Sequence, residues 1–151
     1  MSNTQAMCTS FKGEILSGVH ALGTTVTRAT TAADTLKAAL YLASATVNAA
    51  TTAYSATGEV SGAGYSAGGV TVTNATAPTT SGTTGYWTPS ASITYTTVTL
   101  TTAFDCVLIY NSTQSNKAIS VHTFGSQTVT AGTFTLTMPT NDASNALIRI
   151  A

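Results

Sequence analysis

Downstream of Gly69 this chain is written in residues that favour extended backbone, interrupted at close intervals by residues that favour turns. β-Branched and aromatic stretches fall at 70–76, 83–88, 92–101, 104–110, 118–124, 133–138 and 146–150. Over 93–100 and again over 133–138, apolar side chains largely alternate with Thr, a period of two that sends one set to a core and the other to solvent or a partner. Cys106-Val107-Leu108-Ile109-Tyr110 lacks polar alternates, as a strand covered on both faces would. Short strands at this spacing specify an all-β fold rather than βαβ units, and we expect a single two-sheet β-sandwich, jelly-roll-like. A chain of 151 residues is long enough to give that sandwich one sizeable core.

The upstream part is less uniform. Phe11, Ile15, Val19 and Leu22 recur at helical spacing, with Ser10 placed to cap and Gly23 to stop, although Gly13 and Gly18 each weaken a helix by about 1 kcal/mol. Residues 1–23 are therefore read as a short N-terminal helix or extended arm that either closes the core or reaches a partner, and 24–151 as the β-sandwich domain. The stretch 36–42 fits a helix by propensity and a strand by its β-branched flanks. The glycine-rich segment 58–69 reads as a long exposed loop.

Chemistry has little to recruit. Five basic and five acidic residues give a net charge of zero, and Lys12, Arg28, Lys37, Lys117 and Arg149 are dispersed. That excludes the grouped cations needed to neutralise a nucleic-acid backbone. Hydrophobic residues at 43% argue against a disordered chain. His20 and His122 belong to no catalytic motif, and Asp34, Glu59, Asp105 and Asp142 are too isolated to form a metal site. Cys8 and Cys106 lack CxxC spacing and are expected as buried free thiols. Gly62-Ala63-Gly64 with Gly68 follows polar residues and precedes a β run, the wrong context for a dinucleotide-binding turn. The Asn-X-Thr strings at Asn74 and Asn111 are read as chance. No signal or membrane-spanning pattern is present at the N-terminus, so synthesis in the cytoplasm and no membrane partner are expected. We therefore expect no catalytic, cofactor-binding or metal-ligating residues and no enzymatic activity. Candidate contact residues are Phe11, Ile15 and Val19, Glu59 and Tyr65 in the loop, and Tyr86 and Trp87, which precede Pro89 as the expected exposed aromatic spot.

Four strings, at residues 8–20, 59–70, 108–112 and 142–150, together resemble a family of small structural proteins encoded by tailed bacteriophages. They occur there in the same order across nearly the whole chain, and the part matching 35–42 is usually strand-like, which favours strand here. This chain departs from the pattern by an Ala- and Thr-rich expansion over 24–33. The resemblance implies a virion component made in the host bacterial cytoplasm: a head decoration or cement protein bound to the outer surface of the major capsid protein. Its alternative is a tail- or fibre-associated protein with a receptor- or glycan-binding β domain. It transfers no functional residue. A homo-oligomer, with a trimer favoured, would cover strand edges that otherwise invite aggregation.

Overall fold

Two strands of unusual length organise the molecule: 19 residues over Ile93–Asn111 and 20 over Lys117–Leu136, paired antiparallel as one hairpin. At ~3.3 Å per residue such an arm would extend roughly 60 Å if straight. The computed structural model describes residues 3–16, 18–23 and 33–151. In chain order its elements are β1 (Ala6–Met7), α1 (Thr9–Leu16), β2 (Leu36–Leu42), β3 (Val70–Thr71), β4 (Thr79–Ser81), β5 (Thr84–Trp87), β6 (Ile93–Asn111), β7 (Lys117–Leu136) and β8 (Ile148–Ile150). The fold is all-β in two antiparallel sheets, one ordered β1-β7-β6-β2-β3 and a smaller one ordered β4-β5-β8. The large sheet is ordered around the long hairpin; the two antiparallel sheets agree with the β-sandwich expected, and the strand orders do not confirm its jelly-roll connectivity.

Bulges explain how alternating sequence can serve so long a hairpin. Tyr95 faces Phe134 and Val98 faces Gly132, so β6 carries one residue more than β7 in that interval, and Thr97 absorbs it with a φ of 52°. The inward set accordingly changes phase, from Ile93 and Tyr95 to Val98 and Leu100, all buried. Thr96-Thr97, the point where the sequence alternation stutters, is this bulge. The opposite irregularity follows at once: Leu100 faces Val129, and Ala131 with a φ of 46° is the extra residue on β7. The segments 92–101 and 104–110 thus form one strand, as do 118–124 and 133–138 up to Leu136.

The strand alternative for 36–42 holds: β2 pairs with β6 from Leu36 opposite Asn111 to Leu42 opposite Phe104. Cys106 to Tyr110 are all buried, which in a pleated strand requires cover on both faces. The N-terminal segment is part of the core. β1 extends the large sheet by pairing with Ser120 and Val121, and Cys8 and Phe11 are 0% exposed. The helix is shorter than the spacing suggested, ending at Leu16; Gly18, with a φ of 67°, donates its N–H to Ile15 O. Ser10 Oγ is buried without a hydrogen-bond partner, so it is not the cap. The Ala/Thr-rich expansion over 24–33 lies outside the described residues except for Ala33.

Candidate functional site

The glycine-rich loop at 58–69 is the most organised polar feature of the molecule. Glu59 is its anchor: Tyr54 OH donates to Glu59 Oε2 at 2.6 Å, while Tyr65 OH and the Gly68 N–H both donate to Oε1 at 2.7 Å. Tyr65 OH also accepts from the Leu40 N–H at 3.0 Å, which ties the loop to β2. Tyr110 OH donates to Gly68 O and Tyr95 OH to Ala38 O, each at 2.8 Å. Tyr54 stacks on Tyr110 with centroids 4.8 Å apart, and Tyr65 on Tyr95 at 5.9 Å. Tyr41 donates to Ser55 O, so five of the six tyrosines serve this one assembly. Burial raises the Tyr65 and Tyr95 hydroxyls well above the usual phenol range, and nearby Glu59 adds to the effect. Tyr54 is pushed up to about 12, first by burial and then by its bond to Glu59. All three remain neutral donors at any physiological pH.

Two glycines show why the loop has its composition. At Gly69, with a φ of 71°, a Cβ would overlap Ala38 O; at Gly64, with a φ of 77°, it would overlap Thr97 O at the β6 bulge. The glycines let the loop lie against strand backbone rather than cradle a phosphate, and Thr99 donates its N–H to Ala63 O at 2.8 Å across that contact. Between the anchors, Ser61 to Gly64, Ser66 and Ala67 are exposed.

Of the contact residues read from the sequence, Glu59 and Tyr65 come together in this assembly, with their polar atoms directed inward. Phe11 packs in the core and meets His20 edge-on at 4.8 Å, and Ile15 and Val19 are half-buried. The expectation of an exposed aromatic spot is corrected. Trp87 is 1% exposed, a member of the core cluster, and its Nε1–H donates to Thr76 O at 2.9 Å; Tyr86 beside it is half-buried.

The two histidines lie apart. His20 accepts from Asn111 Nδ2 at 3.0 Å, and the same amide donates to Asp34 Oδ2 at 2.7 Å. Asp34 also accepts from the Ala21 N–H and from Gln114 Nε2, so this cluster closes the end of the hairpin. Asn111 is 0% exposed, which removes it as a glycan acceptor. His122 lines a shallow cleft of about 360 Å³ with Gln5, Asn145 and Arg149, and shares a 2.9 Å hydrogen bond between its Nε2 and Ser120 Oγ. Sequence reading missed this pair, whose i, i+2 spacing on a strand was the available signal. Ser120 is 2% exposed, and burial lowers the His122 pKa to about 4, so the ring is neutral and a weak base. No carboxylate hydrogen-bonds that ring among the described residues, and no group of three or more potential metal ligands occurs among them. Cys8 and Cys106 are both fully buried. No described helix is long and apolar enough to cross a membrane.

Along the long hairpin, the exposed surface is rich in threonine. Thr94, Thr96, Thr97, Thr101 and Thr102 on β6 and Thr128, Thr130, Thr133 and Thr135 on β7 are exposed along the hairpin. Comparison with protein-family models, with curated proteins and with solved structures finds no match for this chain.

Proposed function

We propose that this chain is a structural protein of a tailed-bacteriophage virion, a head decoration or cement protein that binds the outer surface of the major capsid protein and stabilises the shell. The observation that carries the reading is the division of labour among its side chains. The titratable groups Asp34, Glu59 and His122 and five tyrosines are engaged in internal bonds, while the outward surface of the long hairpin is threonine. Such a surface docks through methyl and hydroxyl groups and loses little when salt screens ion pairs. Repetition on a symmetric lattice then raises the effective concentration at each further site. The sequence resemblance points the same way. In this reading the protein turns over no substrate, holds no cofactor and works as a homo-oligomer.

The receptor- or glycan-binding alternative draws less support, because the indole of Trp87 and the hydroxyl of Tyr65 are already engaged within the fold. Reconstruction of the particle by cryo-electron microscopy tests the proposal. Stoichiometric copies on the head exterior are expected; a few copies at the tail tip, or none on the particle, refute it. Deleting the N-terminal segment is a poor probe of contact, since the deletion also removes Cys8 and Phe11 from the core.

A further inference from the structure

Among the described residues, β7 is covered on its outer side over its first residues: Ala53 bridges Lys117, the Ala118 N–H donates to Thr52 O, Ile119 O accepts from the Cys8 N–H, and β1 pairs with Ser120 and Val121. Gln5 continues that cover to Thr123 through a 3.4 Å side-chain bond, and from Gly125 onward no described strand pairs with this edge. An unpaired edge presents backbone donors and acceptors to any extended chain. Its side chains add a second observation. Phe124, Val129, Phe134, Leu136 and Met138 pack against the core yet stay only partly buried, an apolar row along the open side. Phe134 is its hub, 5.0 Å from Phe104 and 5.3 Å from Phe124.

Bulges protect part of this edge, since Ala131 bends the strand away from regular pairing. Beyond it the register is unbroken: Phe134 faces Tyr95, Thr135 faces Thr94 and Leu136 faces Ile93. The sequence there, Thr133-Phe134-Thr135-Leu136-Thr137-Met138, has high β propensity and neither charge, Pro nor Gly, so left bare it would promote uncontrolled pairing.

We propose that the β7 edge from Thr133 to Leu136, prolonged by Thr137 and Met138 just past the end of the strand, pairs antiparallel with the same segment of a second copy of this chain, about a two-fold axis at Thr135. That axis sets Thr133 opposite Thr137 and Phe134 opposite Leu136. Thr then meets Thr on one face and apolar meets apolar on the other. The period-two pattern is thus complementary to itself, and no charge lies between Lys117 and Asp142 to oppose the approach. The contact is two-fold, in place of the three-fold association expected from sequence. It rests on the assembly reading above, and it is tested in solution, apart from any particle.

Thr135 is exposed, so substitutions there leave the monomer intact, but in the pair it faces its own copy. Sedimentation equilibrium of the full chain should show a dimer. Thr135→Lys and Thr135→Asp, each placing like charges in contact, should weaken it by about a hundredfold. Mixing the two variants should restore a heterodimer. Hydrogen exchange at 133–138 should be slow in the dimer and fast in either variant alone. A wild-type monomer, undiminished dimers of both variants, a mixture that does not associate, or equal protection in monomer and dimer would each overturn the proposal. Head occupancy reports separately on the virion reading, which falls if wild-type protein dimerises yet never loads onto particles.

Discussion

Replacing Glu59 tests whether the loop at 58–69 is a built surface or a slack connection. In Glu59→Ala the Gly68 N–H and the Tyr65 and Tyr54 hydroxyls all lose their acceptor. Gly68 is buried and Tyr65 half-buried, so each leaves a donor with poor access to water, at about 1–3 kcal/mol apiece. Tyr54 lies nearer solvent and adds little. The expected loss is about 2–6 kcal/mol, a large share of the ~5–15 kcal/mol that holds a domain together. Glu59→Gln keeps one carbonyl oxygen for Tyr65 and Gly68, forces Tyr54 to reorient, and should cost about 1–2 kcal/mol. Urea unfolding read by linear extrapolation gives both values, and hydrogen exchange should show the Gly68 amide opening in Glu59→Ala before the strands do. If Glu59→Ala unfolds within ~0.5 kcal/mol of the parent, the carboxylate does not hold the loop and the reasoning fails.

Three further outcomes are expected. Trp87→Ala should cost about 3–5 kcal/mol in thermal or urea unfolding, as a buried indole with a bonded N–H requires, whereas an exposed recognition residue would cost almost nothing. His122 has its folded pKa lowered to about 4 by burial, below the unfolded value near 6.5. The unfolded chain therefore takes up the proton first, so this contribution is complete above about pH 6.5 and is lost as pH falls toward 4; His122→Gln should flatten the free energy of urea unfolding over that window by up to about 3 kcal/mol. Burial, with Asp105 adding, pushes the Cys106 thiol up to about 12, so a thiol reagent should label neither cysteine in the native protein and both after unfolding.

The parts of the fold legible in sequence were those decided by local alternation. Cys106 to Tyr110 read as a doubly covered strand because five consecutive apolar residues leave a pleated chain no solvent face. The joining of 92–101 to 104–110 was hidden, since Thr101-Thr102-Ala103 resembles a break, whereas the strand runs through it with residues to spare against β7. Trp87 was misread because its acceptor, Thr76 O, belongs to a segment whose approach no local pattern announces. Glu59, singled out as a contact residue, serves as an internal anchor in the structure. A lone acid between Tyr54 and Tyr65 in an uncharged stretch was a sign of that role, but the convergence of all three donors on it depends on how the loop folds back over β2. The helix ended early because Gly18 adopts the left-handed conformation that glycine tolerates best, a choice the apolar spacing through Leu22 did not reveal.

Pairing of β1 with Ser120 and Val121, and of β8 with Gly85 to Trp87, joins residues distant along the chain at both ends of the molecule. A ribosome must release most of the polypeptide before Ala6 and Met7 can find their neighbours, and until then Leu36, Ala38 and Leu40 lack the cover of β6. Closure is accordingly a late event dominated by non-local contacts, which places this chain among slow folders. Fragments ending before Lys117 should fail to acquire protease resistance, whereas the intact chain gains it in a single cooperative step.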